Sequence, residues 1–255
     1  MRKFFTIASL FALTLSACSE ETTNGEQKGE GRVTIDCVAT TTVDDTRANV
    51  SCTTPAAEDF TLKIEGVSHN YTADYANIAE FNADNYLNNG TYKASVVAGD
   101  VNEEGYDKAT FAGSAQFTVE PRQETAVSVT ATIANALVKV EVTEAFERYF
   151  EGGHTLTLTT AAGNEFDVTE QTEPIFIAPK AFTISGTATK QPAQSGVEGA
   201  VVSLNYQPEQ QVKAQTLYTV KFDVEQAGSA TLEITLNETL VASFEIEQEL
   251  NDNAK

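Results

Sequence analysis

The sequence predicts an all-β chain of two tandem antiparallel β-sandwich domains with Greek-key connections, and three observations predict it. First, apolar and polar residues alternate over short segments. Clear cases are Val127-Ser128-Val129-Thr130, Val138-Lys139-Val140-Glu141-Val142, Thr155-Leu156-Thr157-Leu158-Thr159, Val220-Lys221-Phe222-Asp223-Val224 and Leu232-Glu233-Ile234-Thr235-Leu236. Period two turns one face of a strand to a core and the other to water. Second, turn signals separate these segments, as at Asn88-Asn89-Gly90, Gly152-Gly153, Ala162-Gly163-Asn164 and Ala227-Gly228. Third, helical spacing occurs at only two places, so the strand and helix alternation of a parallel βαβ sheet is missing.

The N-terminal elements precede the sheets. Arg2 and Lys3 form a basic start, and an apolar stretch runs from Phe4 to Leu15. Residues 1–17 therefore read as a signal peptide. The stretch is shorter than the roughly 20 residues that span a hydrocarbon core. Leu15-Ser16-Ala17-Cys18 resembles the lipobox cut by bacterial lipoprotein signal peptidase once the cysteine thiol carries diacylglycerol. Cys18 is thus the expected lipidation site and mature N-terminus. Its acyl chains, palmitate among them, would tether the chain at about 0.8 kcal/mol per buried CH₂. Residues 18–30 are polar and Gly-rich, a composition that buries no apolar area, and read as a flexible tether. Cys18-Ser19-Glu20-Glu21 resembles the export signal that sends Bacteroides-like lipoproteins to the cell surface, which implies a surface-exposed position on the outer membrane; the alternative is a solvated charge run on a lipoprotein that stays facing the periplasm.

The first expected domain covers residues 31–135. Cys37 and Cys52 sit in register with Val33, Ile35 and Val50 on the buried face of alternating segments. Two readings stay open: a disulfide contributing about 3 kcal/mol in the chain-entropy model, or a pair of buried, inert thiols. Arg47, within Asp44-Asp45-Thr46-Arg47-Ala48, is a candidate processing site, with an ordinary loop arginine the simpler reading. Tyr71, Tyr75, Ile78 and Phe81 are spaced for a short helix or an aromatic-pinned loop. Asp84 lies among Asn82, Asn85, Asn88 and Asn89, which offer oxygen atoms to calcium, yet the glutamate that closes an EF-hand loop is missing. A plain turn is the simpler reading.

The division falls near Ile133-Ala134-Asn135-Ala136, and residues 136–250 form the second expected domain. Thr143 is placed to cap a helix over residues 144–151, with Phe146, Tyr149 and Phe150 on one face before Gly152. A weak internal repeat links the halves. Segments 59–64, 90–94 and 124–129 have the character and order of segments 154–158, 179–184 and 215–220.

These segments support a resemblance over most of residues 31–248. A Gly31-led first strand, Asp59-Phe60, Gly90-Thr91-Tyr92, Phe111-x-Gly113-Ser114-x-x-Phe117-x-Val119, Ala134-Asn135-x-x-Val138-x-Val140 and Tyr218-x-Val220-x-Phe222-Asp223 follow the lipobox in order. The chain resembles a family of two-domain Bacteroidales surface lipoproteins, themselves similar to the fimbrillin-like group. The resemblance implies transthyretin-like β-sandwich domains and a lipoprotein cell biology. It carries over no catalytic residue. Some fimbrillin-like proteins are cut behind a basic residue and add a neighbour's strand; a Cys37–Cys52 bond would hold the first strand after a cut at Arg47, so the uncleaved form is expected.

Composition narrows the function. With 37 Asp+Glu against 16 Lys+Arg and a formal charge of -21, the chain repels phosphate backbones, so no nucleic-acid partner is expected. Its two histidines, His69 and His154, fall in different expected domains, leaving little material for a zinc site or a histidine-based triad. No catalytic residue, metal or cofactor is expected. The expected function is that of a non-enzymatic surface lipoprotein with a cell-adhesion or fimbrillin-like structural role. Its expected partners are the membrane, through the lipid anchor, and other surface or fimbrial proteins or host ligands. The alternative is a glycan-binding accessory lipoprotein of a polysaccharide-utilisation system. Sugars usually rest on exposed aromatic faces, and the chain has Trp 0. Its one local aromatic cluster, Tyr71, Tyr75, Phe81 and Tyr86, is better explained by core anchoring.

Overall fold

The computed structural model describes residues 29–41, 51–192, 198–226, 229–235 and 244–247. Cys18 and Arg47 lie outside the described residues, as do the expected signal peptide, residues 1–17, and most of the expected tether, residues 18–30. The described chain is all-β, with two short α-helices and a single 3-10 turn. No helix among the described residues is long and apolar enough to cross a membrane.

The first half contains β1 (Glu30–Ala39), β2 (Thr61–Gly66), β3 (Thr72–Tyr75), α1 (Ile78–Ala83), β4 (Tyr86–Asn88), β5 (Gly90–Ala98), β6 (Phe111–Val119) and β7 (Glu124–Ile133). The second contains β8 (Ala136–Val142), α2 (Glu144–Tyr149), β9 (His154–Thr160), β10 (Glu165–Asp167), β11 (Ile175–Ile177), β12 (Phe182–Thr189), β13 (Val201–Tyr206), β14 (Leu217–Gln226), β15 (Ser229–Thr235) and β16 (Phe244–Glu247). In the first half the strand order is β3-β2-β5-β6-β7-β1-β4. β6 and β7 pair only through Phe111 with Ile133 and Ala112 with Thr132. In the second half the order is β10-β9-β12-β13 in one sheet and β11-β8-β14-β15-β16 in another.

Set side by side, the two halves carry one pairing diagram. β2 lies between β3 and β5 as β9 lies between β10 and β12, and β1 lies between β4 and β7 as β8 lies between β11 and β14. The repeat expected from the sequence lands on matching strands: β2 with β9, β5 with β12, and β7 with β14.

The expectation of purely antiparallel sheets is corrected. β1 runs parallel to β7 over Arg32–Ala39, and β8 runs parallel to β14 over Leu137–Val142. Alternation records which face of a strand is buried and carries no information on direction. Each half's first strand is set beside a strand that returns much later in the chain, so its direction is fixed only when the sheet closes.

Alternation does decide the core. Val33, Ile35 and Cys37 of β1 join Leu62, Ile64, Tyr92, Val96, Val129 and Ile133 in one apolar cluster. Val138 and Val140 of β8 join Leu156, Leu158, Phe182, Ile184, Val220 and Phe222 in a second. Fully burying each large side chain contributes roughly 1.5–3 kcal/mol. Along β8 the register splits, because Ala136 and Val138 face the second cluster while Leu137 belongs to the first. Gly113 lets β7 pass: a Cβ there would collide with the Thr130 carbonyl.

The helices are local devices. Thr143 Oγ1 accepts from Phe146 N at 3.1 Å and caps α2, which seats Phe146 and Phe150 in the second core and ends at Tyr149, two residues before the expected end. The segment around Tyr71–Phe81 is part strand and part helix. Asn77 accepts from Glu80 N at 2.9 Å to start α1, and Tyr75 meets Phe81 edge-on at 5.2 Å.

Candidate functional site

The asparagine group beside Asp84 is occupied structurally. Asn82 accepts from Ile35 N at 3.1 Å and donates to Ile35 O at 2.9 Å, standing in for a strand where the short β4 ends. Asn85 Oδ1 accepts from Arg32 Nε at 3.3 Å, and Asn89 Oδ1 accepts from Gly29 N at 3.2 Å. These amides hold β1 and the residue before it; Asn82 lies in α1 and Asn88 in β4, so the group spans a helix and a strand and is not one turn. The second half repeats the device with another residue. Gln171 accepts from Val140 N at 2.7 Å and donates to Val138 O at 3.0 Å, beyond the end of β11.

The other sequence candidates are placed as follows. Cys37 is buried on β1 and Cys52 is half-buried against the same cluster. Both are free thiols in the form described. Burial pushes both thiols up, with Asp36 adding to Cys37 and Asp107 to Cys52. Neither is a ready nucleophile. His69 rests on bare backbone, with a Cβ at Gly66 or Gly90 reaching within 2.8 and 2.9 Å of its ring, and meets Tyr92 edge-on at 4.7 Å. His154 opens β9 and packs edge-on to Phe146 at 5.4 Å, with Nε2 buried and unpartnered. The structure keeps the two histidines apart, each in its own aromatic packing. Tyr71 and Tyr75 pack against the first core with Phe81 inside it, whereas Tyr86 is exposed.

The most built surface feature is where the halves meet. The loop between β5 and β6 reaches across to the second half. Gly105 N donates to Phe176 O at 2.9 Å, and Phe176 N donates back to Gly105 O at 3.0 Å. Gly105 has φ 145, which favours glycine. The neighbouring Glu104 carboxylate accepts from Thr160 Oγ1 at 2.5 Å, Asn164 Nδ2 at 2.8 Å and Ala178 N at 2.9 Å. Below it, the buried Asn135 accepts from Thr110 N at 2.6 Å through Oδ1 and from Gln215 N at 2.7 Å through its carbonyl.

Tyr106 follows this clamp and is 43% exposed. It borders a cleft of about 490 Å³ lined also by Thr155, Asp167, Thr169, Glu170, Thr172 and Glu173. Burial, then Asp167 and Glu173, push the Tyr106 phenol up. The Thr169 side chain, and then its N–H donating to Asp167 Oδ1 at 3.0 Å, hold the Asp167 carboxyl below its usual range. A second cleft of about 620 Å³ shares residues 169–172 as a wall and reaches Lys139, Glu147 and His154. Both are open, with mixed polar and apolar lining. The sequence reading missed Tyr106. Its only signal was a Gly-Tyr pair in the acidic segment Asn102-Glu103-Glu104-Gly105-Tyr106.

A family model matches residues 29–252. The chain belongs to the family described as "Domain of unknown function (DUF4493)". None of the curated proteins matches it. It is similar to solved structures from Bacteroides. One, from Bacteroides eggerthii and provisionally described as a cell adhesion protein, is 9% identical at TM-score 0.44, covering 86% of this chain and 96% of that one. Another, from Bacteroides thetaiotaomicron and provisionally described as polysaccharide binding, is 8% identical at TM-score 0.40, covering 86% of this chain and 99% of that one. A third, a provisional adhesin from the same species, is 10% identical at TM-score 0.35, covering 82% and 96%.

Proposed function

We propose that this protein is a non-enzymatic, lipid-anchored lipoprotein of the outer-membrane surface that works by adhesion, in the fimbrillin-like manner. In this reading Cys18 carries the lipid, residues 18–30 are the tether, and residues 31–135 and 136–250 are two transthyretin-like β-sandwich domains. The observation that carries it is the order along the chain: Leu15-Ser16-Ala17-Cys18 stands just ahead of Glu30, where β1 begins. The packing of both histidines against aromatic rings supports the absence of turnover.

The uncleaved form is favoured over one processed at Arg47. β1 lies between β7 and β4 and buries Val33, Ile35 and Cys37. Losing it would leave an open core and the unpaired edge of β7.

Fatty-acid labelling of cells carrying the wild type and Cys18→Ala tests the anchor, with label expected only on the wild type. Adhesion of cells with and without the gene, to host surfaces and to each other, tests the role. Equal adhesion would overturn it. Glycan capture is the second reading, favoured by the exposed Tyr106 at the rim of the 490 Å³ cleft.

A further inference from the structure

We infer that the groove running past Tyr106 and along residues 167–173 binds uncharged oligosaccharide chains, with the Tyr106 ring as the stacking platform. The inference rests on the glycan-capture reading and assigns it a site.

Size is the first argument. Clefts of about 490 and 620 Å³ share the wall formed by residues 169–172. Each falls within the roughly 300–1,000 Å³ of small-ligand sites. Two such clefts on one wall suit a ligand longer than a single ring.

Rigidity is the second. Tyr106 directly follows Gly105, whose backbone pairs both ways with Phe176, and Glu104, whose carboxylate takes three hydrogen bonds from the second half. An aromatic ring carried on a backbone already fixed loses little freedom when a ligand stacks on it. Tyr86 is more exposed, at 59%, yet lines neither cleft, so exposure alone does not single out Tyr106.

The third argument is the character of the lining. The carboxylates of Glu170 and Glu173 make no hydrogen bond or ion pair with any described residue, and Asp167 spends one oxygen on Thr169. With the Thr172 hydroxyl they offer acceptors to sugar hydroxyls around an apolar ring face. Gln171 lines both clefts, but its amide is committed to β8 and orients the wall. Among the described residues no lysine or arginine lines the first cleft, and Lys139 in the second is paired with Glu141 at 2.7 Å. The charged side chains lining the first cleft, Asp167, Glu170 and Glu173, would repel an anionic glycan, which fixes the charge class of the ligand.

The test uses the full-length lipoprotein in detergent micelles, with binding measured by calorimetry against a panel of probes. The neutral probes are cellohexaose, xylohexaose, mannohexaose and chitohexaose; the anionic ones are heparin and alginate oligosaccharides. At least one neutral probe is expected to bind. Tyr106→Ala should weaken that binding roughly tenfold or more, as loss of an aromatic anchor does. Tyr106→Phe should retain it, and Tyr86→Ala should leave it unchanged. Glu173→Lys, a change at an exposed position, should also weaken it and guards against misfolding of the alanine variant. The inference is overturned if no neutral probe binds folded wild type, if anionic probes bind better, or if Tyr106→Ala binds as well as wild type. None of those results touches the anchor or cell-adhesion tests, so this site can fail while the adhesive reading stands.

Discussion

The two halves of the chain solve one problem twice with different residues. In each, a long first strand is flanked by a returning parallel strand on one side and a three-residue edge strand on the other. The edge strand is too short to satisfy the first strand's backbone. An amide side chain completes the ladder: Asn82, from α1, on Ile35 in the first half, and Gln171, from the loop after β10, on Val138 and Val140 in the second. A carboxamide carries a donor and an acceptor at the spacing of a peptide group, so either residue serves. The hydrogen-bond requirement fixes the chemistry, and the chain position is free.

The halves also differ. β6 and β7 meet at two residue pairs, whereas their counterparts β13 and β14 lie in separate sheets. The first half carries its helix before the edge strand and the second carries it directly after the first strand. Helices can be inserted wherever a connection crosses between layers, provided an apolar face reaches the core.

The largest expected effects separate the two cores. Phe81→Ala and Phe146→Ala each remove a fully buried ring and should cost about 3–5 kcal/mol. Hydrogen exchange should show lost protection concentrated in the half that carries the substitution. Equal loss in both halves from either change would mean that the cores unfold as one.

Next come the amides. Asn82→Ala and Gln171→Ala each strand backbone groups of a first strand and should cost about 1–3 kcal/mol by denaturant titration. Asn82→Asp and Gln171→Glu should not rescue, because the carboxylate cannot donate to Ile35 O or Val138 O. A wild-type midpoint for either alanine variant would break the parallel between the halves.

The link between halves should matter less. Glu104→Ala removes three acceptor contacts from a half-buried carboxylate and should cost on the order of 1 kcal/mol. Its signature should be earlier separation of two unfolding transitions in calorimetry.

The smallest effect is a pH dependence confined to the second half. Thr143 Oγ1 donates to Asp223 at 2.5 Å, and Val224 N donates at 2.8 Å; these hold the carboxyl below its ordinary range. A carboxyl lowered in the folded state stabilises it at neutral pH. That contribution is lost as pH falls from the ordinary aspartate range through the lower folded value. Asp223→Asn should therefore flatten the acid limb of the stability curve, with helix α2 reporting the change by exchange. An unchanged acid limb would remove Asp223 as its source.

How much was legible in the sequence depends on the distance over which the information acts. The buried faces of β1, β7, β8, β9 and β14 could be read from alternation, because burial is a property of each residue and its neighbours two positions away. The Thr143 cap could be read for the same reason. The correspondence of β2, β5 and β7 with β9, β12 and β14 was readable as order and character, since both halves bury the same strands. The thiol pair was legible only as alternatives, and the aromatic packing of the histidines was not legible. The Tyr106 cleft was not legible, because its walls come from residues 106, 155 and 167–173, and no local pattern marks that convergence.

The sequence by itself determined that the chain is all-β, where most strands lie, which faces they bury and that its charge repels phosphate backbones. Only the tertiary structure decided strand direction, the partners of Asn82 and Gln171, and the clamp at Glu104 and Gly105 that holds Tyr106 over the second half. The reason is physical: alternation encodes which side of a strand avoids water, while direction and edge pairing are fixed by hydrogen bonds to segments far away in the chain.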